Sequence, residues 1–445
     1  MILQLRRFSA HPGARETVML VEFYGQNYGC FRDEFRLSML AADIDPGSDR
    51  GIVEVAVKGD DDPLRLLRAV AIYGPNASGK STLLRAAGEL GSLISETASL
   101  ESDSALEPYR PFGLNTQPVP VRLGASAVID GEVYDYEVQF LGSHFTSERL
   151  KLLPADGEVN VLVDRKGQEV SGHWKSDPQF ALISKDFRPN ALLLSLADRL
   201  APALAKNIAV GFRRLLVGSE SPSARVFQPR GDISARRAYA DSAFADWLIS
   251  RLKSADIGVA GLKSEEFEAR GMSWAAAKSS YPDDAELARK RKAYRLKLTH
   301  GTADRSFTVP YQLESRGTKR LVDLSPLLYD LIHAAPPIVA FVDELHESLH
   351  PKLLEEIIRD FNCGIHMKAA CGQLIFATHE TSLLDAEAKN AVLRRDQIYL
   401  TEKDASGAAR LYSVAEFRER NNLNIRRRYL QGRYGALPSL GDFSD

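Results

Sequence analysis

The sequence predicts an α/β fold with an antiparallel β element first, a mixed or parallel sheet at the centre and an inserted, mainly helical segment. Short apolar runs at residues 67–73, 338–342 and 373–378 have the length and composition of buried strands. The first of these runs leads through a glycine-rich loop into a helical pattern. Alternating apolar and polar residues at 19–58 and 119–163 predict antiparallel strands on either side of that unit.

The order of these elements predicts four segments. Loops are expected at 95–118, 217–235 and 275–284, which are rich in Ser, Pro, Gly and Asp or Glu. A clean strand pattern starts only at Met19, so either Met1 or Met19 could be the first residue. The predicted segments are an N-terminal extension at 1–18, an N-terminal lobe at 19–184, a mainly helical insertion at 185–292 and a C-terminal lobe at 293–445.

Composition narrows the class of protein. The chain has 445 residues, of which 44% are apolar and 26% charged, as in ordinary folded proteins. A net charge of −2 gives no overall attraction to nucleic acid or membrane. The cysteines Cys30, Cys363 and Cys371 lack the paired spacing of a disulfide or zinc framework. This cysteine content favours a reducing, cytoplasmic compartment. Because no apolar run approaches the roughly 20 residues of a membrane helix, we also expect no membrane contact.

The strongest motif is a phosphate-binding loop at residues 74–81, which matches G-x-x-x-x-G-K-[ST] between a strand and a helix. Its glycines let backbone N–H groups surround phosphate oxygens, and the helix N-terminus favours an anion. Lys80 can reach the β and γ phosphates of ATP, and Ser81 can ligate Mg²⁺. The expected nucleotide-binding residues are Gly74, Pro75, Asn76, Ala77, Ser78, Gly79, Lys80, Ser81 and Thr82.

Polar side chains end the two other apolar strands. Asp343 and Glu344 follow residues 338–342, and His379 follows residues 373–378. Ligands collect at the carboxyl ends of strands in open α/β sheets, so we expect these groups to meet the phosphate-binding loop. Asp343 would hold Mg²⁺, and Glu344 would polarise the attacking water as general base. With Lys80, Glu344 and His379 are the expected catalytic residues.

With these motifs the sequence resembles the ATP-binding-cassette (ABC) class of P-loop ATPases. Within that class it is most similar to short bacterial AAA-family ATPases linked to abortive infection and restriction islands, relatives of OLD-type nuclease ATPases and SMC heads. The resemblance covers about residues 19–445. The segments that carry it further are a signature segment at 314–318, a D-loop at 348–351 and tail motifs at 394–399 and 429–435.

The resemblance implies an ABC-type head that binds ATP and Mg²⁺ and hydrolyses ATP between two subunits arranged head to tail. Ser315 and Gly317 would then contact the γ-phosphate bound to Lys80 of a second subunit. It also implies a sensor or scaffold role in anti-phage defence, with a separately encoded effector such as a nuclease. The alternative is a DNA-associated, SMC-like clamp or repair ATPase. Gln117 and Gln139 are both candidates for the Q-loop residue, and that role stays open.

A rival motif overlaps the second strand end. Residues 346–350 satisfy H-E-x-x-H, which on one helix face would place His346 and His350 on Zn²⁺ with Glu347 as base. Pro351 follows at once, and His366 is too far along the chain to be a convincing third ligand. We therefore interpret this match as accidental.

Two basic clusters raise the question of nucleic acid. Residues 410–434 contain seven arginines and two glutamates, interleaved with three tyrosines at 412, 429 and 434. A second cluster of lysines and arginines spans residues 289–297. Arginines alternating with aromatic residues could contact nucleic acid, whereas a solvated surface or intramolecular pairing is the simpler interpretation.

Overall fold

A computed structural model describes residues 17–44, 50–155, 157–200, 203–216, 231–255, 258–269, 291–301, 305–334, 336–363, 372–384, 391–417 and 424–438. Most of the predicted N-terminal extension, the loop at 275–284 and Cys371 lie outside these residues. The first strand includes Val18, one residue before the strand pattern that starts at Met19.

The structure contains seventeen strands among the described residues. They are β1 (Val18–Gln26), β2 (Phe35–Ser38), β3 (Ile52–Val55), β4 (Leu64–Leu67), β5 (Ala69–Tyr73), β6 (Val121–Ile129), β7 (Glu132–Leu141), β8 (His144–Leu153), β9 (Asn160–Lys166), β10 (Glu169–Ser171), β11 (Val259–Ala269), β12 (Arg291–Gly301), β13 (Ser306–Pro310), β14 (Val339–Val342), β15 (Gln373–Ala377), β16 (Ile398–Lys403) and β17 (Ala409–Ser413).

The described residues also form nine α-helices. They are α1 (Lys80–Glu96), α2 (Pro178–Ile183), α3 (Leu193–Leu200), α4 (Ala203–Leu216), α5 (Gly231–Ala240), α6 (Ser242–Ser254), α7 (Arg316–His333), α8 (Pro351–Cys363) and α9 (Ile425–Leu430).

The strands form two main sheets, which confirms the predicted α/β class. The antiparallel sheet has the order β10-β9-β8-β7-β6-β1-β2. The central sheet has the order β14-β15-β5-β16-β17, in which β17 alone runs antiparallel to its neighbour. Smaller sheets are formed by β11-β12-β13 and β3-β4. The predicted antiparallel element and mixed central sheet are therefore both present.

The central sheet lies between two hydrophobic cores. In β5, Val70 and Ile72 face the core that contains α1 and the antiparallel sheet. Ala71 and Tyr73 face the second core, which contains α7 and α8. Burial on both faces explains why these strands read as continuous apolar runs instead of alternating ones.

The predicted helical insertion at 185–292 divides between these cores. Helices α3 and α4 pack on α1, whereas α5 and α6 pack on β11 and α7. Strand β11 lies inside this segment and pairs with β12. The predicted loop at 217–235 extends too far, because α5 already starts at Gly231. Residues 217–230 lie outside the described residues.

A buried glutamine joins the two main sheets. Strand β2 pairs with β1 only from Glu22 to Gly25, so Leu20 lies beyond its end, next to a bulge in the pairing of β1 with β6. The Gln373 side chain occupies this position. Its Oε1 accepts from Leu20 N at 2.7 Å, and its Nε2 donates to Leu20 O at 3.0 Å and to Leu67 O at 3.2 Å. The amide therefore replaces a missing strand partner.

Candidate functional site

The phosphate-binding loop connects β5 to α1. Gly74 to Ser78 form the loop itself, Gly79 is the residue before the helix, and Lys80, Ser81 and Thr82 lie in the first helical turn. No side chain caps this helix end. Its first N–H groups therefore face the loop without a side-chain acceptor, which suits an anion.

Two glycines in this loop are required by their surroundings. Gly74 has φ 152°, and a Cβ there would lie 2.3 Å from Thr401 O. Gly79 has φ 118°, and a Cβ there would lie 3.0 Å from both Cys30 Sγ and the Phe31 ring. The loop is therefore wrapped closely between β16 and the turn after β1, which leaves room for backbone alone.

Lys80 is buried against the loop that it belongs to. Its ammonium donates to Gly74 O at 2.9 Å and to Pro75 O at 3.0 Å, and the residue is 5% exposed. Burial lowers the pKa of Lys80, while the charges of Glu344 and Asp343 oppose that shift. Lysine and both carboxylates are thus within electrostatic reach of one another, as the sequence predicted for the strand ends.

The acidic pair follows β14 in a tight turn. Asp343 Oδ1 accepts from Glu344 N at 3.1 Å, and Glu344 has φ 49°, a left-handed conformation that is uncommon for glutamate. Arg320, on α7, donates from Nη2 to Glu344 O at 2.8 Å. The backbone of Glu344 is therefore held from both sides in a strained conformation, which is common at functional sites.

His379 approaches the same carboxylate. The distance between His379 Nε2 and Glu344 Oε1 is 3.7 Å. Burial lowers the pKa of His379 from its ordinary value, and the positive charge of Lys80 lowers it further. Both effects favour the neutral imidazole. Four of the predicted site residues, Lys80, Asp343, Glu344 and His379, meet at one sheet edge.

The signature segment lies elsewhere in the chain fold. Ser315 is exposed and caps α7, because its Oγ accepts from Thr318 N at 3.1 Å. A Cβ on Gly317 would lie 3.1 Å from Ser348 O, so the start of α7 packs on the D-loop. Among the described residues, no hydrogen bond or ion pair joins Ser315 or Gly317 to the phosphate-binding loop. The structure does not bring these two predicted residues into the site of the same chain.

Two supporting residues carry no sequence signal. Thr401 is fully buried on β16, where its Oγ1 lies 2.6 Å from Ser78 Oγ and donates to Tyr73 O at 3.2 Å. Arg320 is the second, through its bond to Glu344 O. Neither residue belongs to a sequence motif, because its partner in the site, Ser78 for Thr401 and Glu344 for Arg320, is distant in the sequence. Only the tertiary structure identifies them.

The remaining sequence candidates lie outside this arrangement. His346 lies in the turn after β14 and His350 immediately before α8, so the H-E-x-x-H residues do not share a helix face. In the described part of the chain no three His, Cys, Asp or Glu side chains cluster as a metal site would require. Gln117 is exposed, and Gln139 on β7 donates to Glu137 at 3.3 Å, so the Q-loop role stays open.

Several residues of the two basic clusters contact other parts of the chain. Tyr429 and Tyr434 are 6% and 2% exposed, and the Tyr429 ring packs on Tyr73 with centroids 5.9 Å apart. Tyrosines buried in this way cannot stack on bases. In the other cluster, Lys297 pairs with Glu265 at 2.9 Å and Lys292 with Glu266 at 3.1 Å. These contacts support the simpler, intramolecular interpretation.

The fold and the site define a class. A glycine loop between a strand and a helix, a buried lysine, and a carboxylate pair ending a neighbouring strand are the parts of a P-loop ATPase. The model of the family described as "AAA domain, putative AbiEii toxin, Type IV TA system" matches residues 69–385. The chain therefore belongs to this family, which confirms the resemblance to ATPases linked to abortive infection.

Solved structures similar to this chain include three SMC heads. An SMC head bound to the C-winged helix domain of ScpA has 11% identity, coverage of 89% of this chain and 98% of that chain, and a TM-score of 0.43. The SMC head domain from Thermotoga maritima has 15% identity, coverage of 89% and 98%, and a TM-score of 0.38. A Pyrococcus furiosus Smc head with an extended coiled coil, bound to the C-terminal domain of ScpA, has 11% identity, coverage of 94% and 99%, and a TM-score of 0.33.

Comparison with curated proteins gives no significant match. Among the described residues, no helix combines the length and the apolar character that crossing a bilayer requires.

Proposed function

We propose that the chain binds ATP with Mg²⁺ and hydrolyses it. The observation that carries this proposal is the meeting of Lys80, the acidic pair and His379 at the carboxyl ends of β5, β14 and β15. Phosphoryl transfer depends mostly on positioning and charge stabilisation, and these side chains supply both.

The phosphate-binding loop would hold the triphosphate. Its backbone N–H groups and the start of α1 would face the β and γ phosphates, and the Lys80 ammonium can exchange its two carbonyl partners for phosphate oxygens. The Ser81 hydroxyl and the Asp343 carboxylate would hold Mg²⁺, which prefers oxygen donors. The metal ion neutralises phosphate charge when it is bound.

Glu344 and His379 would act on the attacking water and the γ-phosphate. The Glu344 carboxylate can accept a proton from water, since it lies at the sheet edge and its side chain is 41% exposed. A neutral His379 imidazole can donate a hydrogen bond to a γ-phosphate oxygen without adding a formal charge.

We further propose that a second copy of the chain completes each site. Ser315 is exposed at the start of an 18-residue helix, whose positive end favours a phosphate. Gly317 packs on the D-loop, and Ser315 bonds Thr318 instead of the phosphate-binding loop of its own chain, so a phosphate bound by a second subunit is the better partner. The assembly would be a head-to-tail ATP sandwich or a higher oligomer built from it.

Two variants test binding and chemistry separately. Lys80→Ala should abolish tight ATP binding, because the triphosphate loses its one mobile cation. Glu344→Gln should bind ATP like the wild type but hydrolyse it about a hundredfold more slowly or worse, since general-base catalysis contributes that much. Titration calorimetry and phosphate release measure the two effects. Wild-type affinity in the first variant, or normal turnover in the second, would contradict the assignments.

A mixing experiment tests the shared site. Ser315→Arg should bind ATP as a single subunit but fail to close the sandwich. Mixed with Lys80→Ala protein, it forms heterodimers with one intact composite site and one doubly damaged site. Some ATPase activity should therefore return when the two inactive proteins are combined. If mixed dimers form and no activity returns, either the two subunits do not share their sites or both sites must fire together.

For the biological role we propose a cytoplasmic sensor or scaffold subunit of an anti-phage defence system. The family description, which names a toxin of type IV toxin–antitoxin systems, supports this direction. The ATP state would control a separately encoded effector such as a nuclease. Phage plating on cells that express the wild type or Lys80→Ala, each with the neighbouring genes, tests the role. An SMC-like DNA clamp, the alternative, predicts that DNA stimulates ATP turnover.

A further inference from the structure

The carboxylate of Glu344 lies between two imidazoles. His346 Nε2 is 3.3 Å from Glu344 Oε2, and His379 Nε2 is 3.7 Å from Glu344 Oε1. The two imidazole rings meet edge to face, with centroids 5.9 Å apart. His379 already has a part in the proposed reaction. His346 has none, and it makes the shorter contact.

The surroundings of His346 select one tautomer. Its Nδ1 atom is buried and has no hydrogen-bond partner among the described residues. A neutral imidazole has one N–H group, and placing it on Nδ1 would bury an unpaired donor and turn the Nε2 lone pair toward a carboxylate. With the proton on Nε2, the ring donates toward Glu344 Oε2 instead.

Glu344 depends on such support. Its backbone is fixed by Arg320 and by Asp343, but its side chain is 41% exposed. Within the described residues, the carboxylate forms ion-pair contacts with the two histidines only. A partly exposed glutamate without a partner samples several side-chain rotamers. In the proposed reaction His379 turns toward the γ-phosphate, which leaves His346 to hold the carboxylate.

We propose that His346 is a positioning residue, which holds the Glu344 carboxylate toward the attacking water through the 3.3 Å contact between Nε2 and Oε2. The proposal rests on the proposed ATPase function. Orientation of the carboxylate matters because a misplacement of about 1 Å costs roughly a hundredfold in rate.

The test compares substitutions at His346. His346→Leu should lower kcat for ATP hydrolysis about tenfold to a hundredfold, with KM and the ATP dissociation constant unchanged. His346→Gln carries an amide N–H at about the position of Nε2 and should keep most of the activity. His346→Asn carries its amide near Nδ1 and should behave like the leucine variant. His144→Leu, at an exposed histidine on the antiparallel sheet, is the matched control and should equal the wild type.

The outcomes separate the two proposals. Wild-type kcat in His346→Leu, while wild-type protein turns over ATP, would overturn the positioning role and leave the ATPase function intact. Equal losses in the Gln and Asn variants, with weakened ATP binding and a lower melting temperature, would also overturn it in favour of a structural role. If His346→Leu fails to fold, the comparison of Gln with Asn still decides. A wild-type protein that binds ATP but never hydrolyses it would overturn both proposals.

Discussion

Replacing Gln373 by leucine should destabilise the protein without leaving a cavity. Gln373 is fully buried and supplies both hydrogen-bond partners of Leu20, whose N–H and C=O lie beyond the end of β2. Leucine is similar in size to glutamine but offers neither a donor nor an acceptor. Each buried backbone group left unpaired costs about 1–3 kcal/mol, so we expect a loss of about 2–6 kcal/mol in the free energy of unfolding.

A loss of this size is large against a typical total stability of about 5–15 kcal/mol. Urea unfolding followed by tryptophan fluorescence should show a lower midpoint with an unchanged m value. Gln168→Leu, at an exposed position in the turn between β9 and β10, is the control and should change stability by less than about 0.5 kcal/mol. If the midpoint of Gln373→Leu matches that of the control, the amide does not bridge the sheets as described.

Three further predictions concern the site. Thr401→Val removes the hydroxyl beside Ser78 Oγ and should raise the ATP dissociation constant about fivefold to a hundredfold, equivalent to about 1–3 kcal/mol; calorimetry checks this, and an unchanged value would contradict a support role. Gly79→Ala should abolish ATP binding, because its Cβ would lie 3.0 Å from Cys30 Sγ at a φ of 118°; retained binding would show that the loop can shift. Elemental analysis should find no stoichiometric zinc in wild-type protein, and zinc lost on replacing His346 and His350 would revive the protease hypothesis.

Local patterns in the sequence predict the fold class and the centre of the site. The phosphate-binding loop is contiguous, and the acidic pair and His379 each follow a buried strand, so strand ends alone place them together. Contacts made across the whole chain leave no such pattern. Gln373 reads as one polar residue at the start of an apolar strand, although its partner is 353 residues away.

The helical segment and the tyrosine-rich tail show the same limit. Strand β11 lies in a segment whose composition predicts helix. Its pairing partner β12 is separated from it by residues 270–290, so no local hairpin pattern indicates the strand. Tyr429 and Tyr434 alternate with arginines as in a nucleic-acid surface, yet burial against the C-terminal core determines their role. Composition does not distinguish a buried tyrosine from one available for stacking.

The strand order of the central sheet has a consequence for biosynthesis. Strand β5, which leads into the phosphate-binding loop, pairs with β15 on one side and β16 on the other. Both partners are translated about 300 residues later, and Thr401, which contacts the loop, lies on the second of them. While the nascent chain lacks β16, the loop lacks its supporting strand. The phosphate-binding loop is therefore completed only after β16 has been synthesised, so a nascent chain that stops before β16 has an unsupported loop.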